Sequence, residues 1–264
     1  MIIPFTQVDA FVVDGKPLTG NPAAVMVLDD WLPDPVLQAI AIENNLSETA
    51  FLKRSGGEAD WDLRWFTPGC EVDMCGHATI ASGHALIGDA DRVTFSSRSG
   101  LLSVAREGEA LRLDLPGATA IEAVEDDALV EALHVMPRVL FRALGPEPAL
   151  VALLDDQASV HACSPDFAAL RHYDELVVVT APGDAADIAS RVFAVGFGID
   201  EDPVTGAAHA AIAPWWANQL GKDRFTALQA SARGGQLGVD VVGDRVQLTG
   251  RCATVIEGKF TLPA

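Results

Sequence analysis

Residues 76–88, GHATIASGHALIG, and residues 206–221, GAAHAAIAPWWANQLG, decide the fold, because they have the pattern of two copies of one apolar helix. Each stretch begins and ends with a glycine, and a glycine in the left-handed conformation is the usual end of a helix. The two stretches begin 130 residues apart. Self-similarity of this kind within one chain predicts two homologous halves.

The segments around the two helices repeat in the same order. Asp34-Pro35 and Ser164-Pro165 each predict a helix start, with a polar N-cap residue and a proline at the first helical position. A strand-like stretch follows each of these helices, and a pair of short strands follows each central helix. The predicted strands lie at residues 49–52, 92–96 and 101–105 in the first half and at residues 176–179, 225–230 and 237–241 in the second.

The repeat predicts an α+β fold of two lobes, each a central apolar helix wrapped by short, mostly antiparallel strands. We place the N-terminal lobe at residues 1–117 and the C-terminal lobe at residues 118–264, because Pro116-Gly117 is a turn signal. The division also allows the last strand of the chain to pack against the N-terminal lobe. Residues 122–127, which are acidic, and residues 128–133, which are amphipathic, are predicted to form the connector.

The charge of the chain excludes several classes of partner. It has 18 basic and 37 acidic side chains, a net charge of −19. Binding to nucleic acid or to an anionic membrane depends on Lys and Arg, so we expect neither partner. The sequence shows no signal-like start and no run of about 18 apolar residues. Its four cysteines form no Cys-x-x-Cys pair, and we expect a folded cytoplasmic protein with reduced thiols.

The helix starts at Gly76 and Gly206 are predicted to bind an anion. Two facing copies would place both starts beside one cleft, and ligands commonly bind at such domain interfaces. Backbone N–H groups at the start of a helix lack partners, so they bind a carboxylate without a basic side chain. The alternative is that each glycine only serves a tight turn, but the presence of both favours the anion site.

Three side chains are candidates for acid–base chemistry. Glu48 lies where a helix ends and an apolar strand begins, and burial there would raise its pKa toward the operating pH. His77, in the first turn of the first central helix, could donate a hydrogen bond or relay a proton. Asp202 precedes Pro203 shortly before the second central helix. The alternatives are an exposed turn glutamate, a structural histidine, and an aspartate that caps a helix or forms a turn.

Cys75 stands just ahead of the first central helix, where a thiol could act as a nucleophile or proton carrier; the alternative is a buried, inert thiol. A zinc site of Cys70, Cys75, His77 and His84 is not predicted, because their spacing does not fit the usual ligand pattern. The sequence also lacks a Walker loop, a Gly-x-Ser-x-Gly motif and a dinucleotide-binding glycine motif. We therefore expect no metal and no organic cofactor.

Five motifs resemble one known family. They are QVDAF (7–11), GNPAAV (20–25), NNLSETAFL (44–52), FTPGCEVDMCGHAT (66–79) and EDPVTGAAHA (201–210). Together they are similar to the PhzF-like phenazine-biosynthesis proteins, which are relatives of diaminopimelate epimerase. The resemblance implies the duplicated diaminopimelate-epimerase-like fold, in which each lobe is a strand-rich, barrel-like sheet around a central helix. This fold agrees with the repeat found in the residues.

The resemblance also implies roles for individual residues. Glu48 would shuttle a proton between two carbon positions of the substrate, and His77 and Asp202 would assist it. The backbone after the two helix-start glycines would hold a small anionic substrate, without metal or organic cofactor. Two-lobed relatives often dimerise, so a homodimer is a further expectation. The substrate-binding residues implied in this way are Ser47, Cys75, Gly76, Thr205, Gly206 and Ala207.

The sequence departs from the family at three positions. Ala78 stands where the phenazine enzyme has proline, and Ala207 stands where serine is common. Thr205 stands where epimerases of this superfamily carry their second cysteine, which argues against a two-thiol racemase. We predict a cofactor-independent isomerase that moves a proton within a small carboxylate-bearing molecule. The alternatives are an epimerase or racemase that uses Glu48 and Cys75, and a non-catalytic relative that binds small molecules.

Overall fold

The computed structural model describes residues 1–263. Many short strands and a few helices make up the chain, and the contacts between residues divide it into two compact units. Unit 1 contains residues 1–114 and the segment that begins at Thr249, and unit 2 is Leu115–Leu248. The chain passes from one unit to the other within two strands, Ala110–Pro116 and Arg245–Gly250.

The elements are numbered in chain order. The strands of the first half are β1 (Ile2–Ala10), β2 (Asn21–Val27), β3 (Glu48–Arg54), β4 (Trp61–Phe66), β5 (Glu71–Val72), β6 (Arg92–Ser97), β7 (Gly100–Glu107) and β8 (Ala110–Pro116). Those that follow are β9 (Ala120–Ala123), β10 (Val139–Leu144), β11 (Ala149–Leu153), β12 (Leu176–Pro182), β13 (Ile188–Ala194), β14 (Ile199–Asp202), β15 (Arg224–Gln229), β16 (Gly235–Val242), β17 (Arg245–Gly250) and β18 (Cys252–Thr261). The helices are α1 (Asp34–Asn44), α2 (Gly76–Leu86), α3 (Asp127–Leu133), α4 (Gln157–Ala162), α5 (Phe167–Leu170) and α6 (Gly206–Leu220), with a 3-10 turn at Val195–Phe197.

The strands of unit 1 pair in the order β18–β1–β2–β3–β4, and β4 continues through β6 and β7 to β8. Most of these pairs are antiparallel, but β2 with β3 and β4 with β6 are parallel. Parallel neighbours need a crossover connection, and α1 and α2 supply the two crossovers. The strand β18, from the end of the chain, pairs with β1 along its length.

Unit 2 repeats this order. Its strands pair as β9–β10–β11–β12–β13, and β13 continues through β15 to β16. The parallel pairs are again two, β11 with β12 and β13 with β15. The short helices α4 and α5 bridge the first pair, and α6 bridges the second. The predicted α+β fold of two repeated, strand-rich halves around central helices is therefore confirmed.

The two central helices lie close to where the sequence predicts them. In α2 all eight residues from Gly76 to Gly83 are buried, which explains why the sequence is apolar on every side rather than along one stripe. A Cβ atom at Gly83 would lie 2.5 Å from Cγ1 of Val104, so this glycine allows β7 to pack directly against α2. The helix α6 ends at Leu220, and Gly221 follows in the left-handed conformation.

Three local predictions need correction. Asp34 is the first residue of α1 and not its N-cap, a position that Pro33 occupies. The helix predicted to start at Ser164-Pro165 is a single turn, α5, which begins two residues later because the Asp166 side chain accepts hydrogen bonds from the first free N–H groups. The predicted connector at residues 128–133 is the helix α3, whose apolar side chains are buried in the core of unit 2.

The described helices are short. The longest of them, α6, has 15 residues. In residues 1–263 no helix combines the length and the apolar character needed to cross a membrane.

Candidate active site

Glu48 is the first residue of β3 and lies opposite Ala23 of the parallel strand β2. Only 8% of its surface is exposed. The alternative of an exposed turn glutamate is therefore wrong. The residue before it, Ser47, is half-buried at the end of the turn that follows α1.

His77 lies in the first turn of α2 and connects Glu48 to Cys75. Its Nε2 atom lies 3.0 Å from Oε2 of Glu48, and its Nδ1 atom lies 3.5 Å from Sγ of Cys75. All three side chains are buried, with 3% of His77 and 6% of Cys75 exposed. The structure thus brings together three residues that the sequence proposed separately.

Asn21 is a member of this cluster that the analysis of single residues missed. It is fully buried at the start of β2, and its Nδ2 atom lies 3.1 Å from Nδ1 of His77. When the ring is neutral, the amide can donate to Nδ1, which leaves the ring proton on Nε2, towards Glu48. Its position in the GNPAAV motif was the available signal, but nothing in the sequence places it beside a histidine 56 residues away.

The cluster changes the protonation of its members. Burial lowers the pKa of His77, but the neighbouring Cys75 and Glu48 raise it by more, so this pKa lies well above its ordinary value. Burial, with the nearby Glu48, raises the pKa of the Cys75 thiol to about 11. The thiol is therefore neutral at neutral pH.

A second polar group precedes α6 in unit 2. Asp202 ends β14 with 5% of its surface exposed, and its Oδ2 accepts a hydrogen bond of 2.5 Å from the Thr205 hydroxyl. Gln229, fully buried on β15, holds this turn with its amide. Its Nε2 donates to the backbone oxygen of Asp202 at 2.7 Å and to Oγ1 of Thr205 at 3.2 Å, and its Oε1 accepts from the Thr205 N–H at 2.7 Å.

His209, which sequence analysis did not single out, supports the same turn. Its Nδ1 lies 2.8 Å from the backbone oxygen of Thr205, and its Nε2 lies 3.2 Å from the hydroxyl of Ser190. Burial lowers the pKa of His209 to about 4, so the ring is neutral at neutral pH. A neutral ring that donates from Nδ1 to a carbonyl and accepts at Nε2 satisfies both contacts.

The two predicted helix starts have the same local form. Cys75 and Thr205 are the N-cap residues of α2 and α6, and both have extended backbone conformations. In the described part of the chain neither side chain makes a capping hydrogen bond. The first N–H groups of both helices, which include the half-buried Ala207, thus remain without the cap that usually satisfies them.

The four residues considered for zinc do not come together as a set. Cys70 is exposed, and His84 contacts Oγ1 of Thr254 through its Nε2 at 3.1 Å. Among the described residues, the group able to hold a cation is Glu48, Cys75 and His77, with one ligand atom from each within 4.8 Å of the others.

Comparisons with known proteins agree with the fold. The sequence model of one family, described as phenazine biosynthesis-like protein (PhzC-PhzF), matches residues 8–258. An uncharacterized isomerase of Pseudomonas aeruginosa is 47% identical over 99% of this chain and 100% of its own length. The crystal structure of a PhzF-family phenazine biosynthesis protein from Enterococcus faecalis is 40% identical, with a TM-score of 0.88 over 99% of this chain and all of that one. A probable proline racemase from Agrobacterium radiobacter shares the fold alone, at 15% identity and a TM-score of 0.68 over 99% of this chain and 93% of its own.

Proposed function

Because this chain belongs to the phenazine biosynthesis-like PhzC-PhzF family, we propose that it is a cofactor-independent isomerase that moves a proton within a small carboxylate-bearing molecule. The comparisons support an isomerase or epimerase role. The observation that supports proton transfer within the substrate is the buried pair of Glu48 and His77, whose Oε2 and Nε2 atoms lie 3.0 Å apart. The pair combines a carboxylate able to accept a proton with an imidazole able to donate one.

In this mechanism Glu48 removes a proton from an activated carbon and returns it to another position of the same molecule. During the reaction His77, whose Nε2 lies 3.0 Å from Oε2 of Glu48, exchanges a proton with this carboxylate, and Asn21 orients the ring. Positioned acid and base groups contribute about 10²- to 10⁴-fold to a rate. The remainder comes from N–H groups that stabilise the negative charge formed when the proton leaves.

The start of α2 and the start of α6 each offer N–H groups without a side-chain cap, and such groups favour a small anionic substrate. Asp202 assists the proton transfer, as the resemblance implies. Thr205, Gly206 and Ala207 take part in binding, with Ala207 offering its N–H where relatives carry a serine hydroxyl.

An epimerase that used Glu48 and Cys75 is the alternative within enzymes. Proton donors and acceptors approach a reacting carbon to about 3–3.5 Å, so two of them on opposite faces lie about 6–7 Å apart. A Glu48 oxygen and Sγ of Cys75 lie within 4.8 Å of each other. This spacing, with the high pKa of the thiol, favours the isomerase.

The alternative outside enzymes is a relative that binds a small molecule without converting it. Ala207 favours it, because the side chain lacks the hydroxyl that relatives use at the second helix start. Calorimetry that detects binding of a small carboxylate, with no exchange of its carbon-bound hydrogens, would support this alternative.

The test is hydrogen exchange in heavy water. The protein is incubated with pools of small amino, hydroxy and cyclic acids, and NMR identifies the carbon-bound hydrogens that deuterium replaces. Wild type should catalyse exchange in at least one compound, and Glu48→Gln should abolish it. Glu43→Gln, a change of the same kind at an exposed position on α1, is the control and should keep the wild-type rate. Exchange at the wild-type rate by Glu48→Gln would overturn the assignment.

A further inference from the structure

We propose that Glu48, Cys75 and His77 form a binding site for a single Zn²⁺ ion, and that the bound ion inhibits the protein. One ligand atom from each residue lies within 4.8 Å of the others. The three side chains supply a carboxylate oxygen, a sulfur and an imidazole nitrogen, all of which zinc accepts. The binding site follows from this geometry alone, whereas the inhibition rests on the proposed function of Glu48.

The separation of two ligand atoms already fits a zinc ion. Zinc binds histidine nitrogen at about 2.0–2.1 Å and carboxylate oxygen at about 2.0–2.2 Å, so a tetrahedral site places these two atoms about 3.4 Å apart. In the structure, Nε2 of His77 and Oε2 of Glu48 lie 3.0 Å apart. Cys75 belongs to the same cluster, in which one ligand atom of each residue lies within 4.8 Å of the others, and its sulfur is the third ligand.

Two atoms of the cluster also lack good partners. Oε2 of Glu48 and Nε2 of His77 are buried, and neither has a well-aligned hydrogen bond within the described part of the chain. They lie 3.0 Å apart, but as an ion pair without hydrogen-bond alignment. Buried polar atoms in this state point to a missing ligand, because nearly all such atoms in proteins are satisfied.

The donor set selects zinc over harder cations. Magnesium and calcium take six or more oxygen ligands, and this cluster offers a carboxylate as its only oxygen donor among the three side chains. Three protein ligands leave a fourth position for water or a substrate carboxylate. A zinc ion in this place would occupy the lone pairs of Glu48 and His77 that proton transfer requires, which is the reason for inhibition.

Binding exchanges protons for the metal without electron transfer. The Cys75 S–H bond breaks, its proton leaves to solvent, and the sulfur bonds to zinc. If His77 is protonated, the nitrogen that binds zinc also loses its proton to solvent. Zinc remains Zn²⁺ throughout.

The experiment measures zinc binding directly. The full chain is freed of metal with a chelator and titrated with Zn²⁺ in competition with a chromogenic chelator. Wild type should bind one equivalent, and Cys75→Ser and Glu48→Gln should each weaken binding at least about tenfold. Cys252→Ser is the matched control, because this thiol lies on β18 outside the cluster, and it should bind as wild type does. Mg²⁺ should not compete.

A cobalt titration gives a second readout. Co²⁺ bound by wild type should show a thiolate-to-metal absorption band that Cys75→Ser lacks and Cys252→Ser keeps. Circular dichroism verifies that each variant is folded, and Glu48→Gln tests the site if Cys75→Ser does not fold. Binding of one equivalent with unchanged affinity in the folded Cys75→Ser or Glu48→Gln variant would overturn the proposal, as would no binding by wild type.

The two proposals fail in different ways. Zinc binding without any hydrogen exchange in the substrate pools would refute the isomerase and leave the metal site intact. Exchange by wild type that stoichiometric Zn²⁺ does not reduce would refute the inhibition.

Discussion

Replacing Gln229 with methionine should lower the free energy of unfolding by about 3 kcal/mol. The Gln229 side chain is fully buried and makes three hydrogen bonds, two to Thr205 and one to the backbone of Asp202. Methionine has a similar volume, so the change removes these bonds without opening a large cavity. Each buried hydrogen bond contributes about 1 kcal/mol net, and the three together give the expected loss.

Urea unfolding followed by tryptophan fluorescence measures this loss, since Trp215 and Trp216 lie on α6 in the same unit. Gln236→Met is the matched control, because Gln236 is exposed on the neighbouring strand β16. The control should stay within about 0.5 kcal/mol of wild type. If Gln229→Met also unfolds within that margin, the amide does not hold the turn before α6 and the argument is wrong.

Three other predictions test the packing and chemistry around the central helices. Gly83→Ala should destabilise the protein by about 1–3 kcal/mol in thermal unfolding, because the new Cβ would lie 2.5 Å from Cγ1 and 2.7 Å from Cβ of Val104. An unchanged unfolding temperature would contradict the close packing of α2 against β7. The pKa of His209 is about 4 in the folded state against 6.5 for an ordinary histidine, so the folded state binds fewer protons and stability is lost as the pH falls through this window. Between pH 6.5 and pH 4 wild type should lose up to about 3 kcal/mol more than His209→Gln in urea unfolding, and parallel curves would contradict the neutral buried ring. Cys75→Ala should keep substantial hydrogen exchange if Glu48 acts alone, and complete loss would favour the epimerase.

Local signals were enough to find the central helices and six of the strands. The glycines that begin α2 and α6 stand at the predicted positions, and both helices end within two residues of the predicted bounds. The hydrogen bonds of a helix join residues four apart, so composition and end signals over a short window specify it. The same reasoning failed at Ser164-Pro165, where the Asp166 side chain satisfies the first N–H groups and starts the helix later.

The candidate residues were visible in the sequence, but their partners were not. Glu48 and His77 stood out by their motifs, whereas Asn21 acquires its role only because β2 pairs with β3 and lies beside α2. Gln229 contacts Asp202 across 27 residues because the parallel pairing of β13 with β15 returns the chain to the start of α6. Such contacts depend on strand register, which no short window of sequence encodes.

The sequence by itself determined the duplicated fold, the starts of the two central helices and the types of side chain available for acid–base chemistry. Only the tertiary structure decided that Glu48, Cys75 and His77 share one buried cluster and that Gln229 and His209 support the turn before α6. The physical reason is that secondary structure arises from neighbours along the chain, whereas burial and pKa shifts arise from neighbours in space.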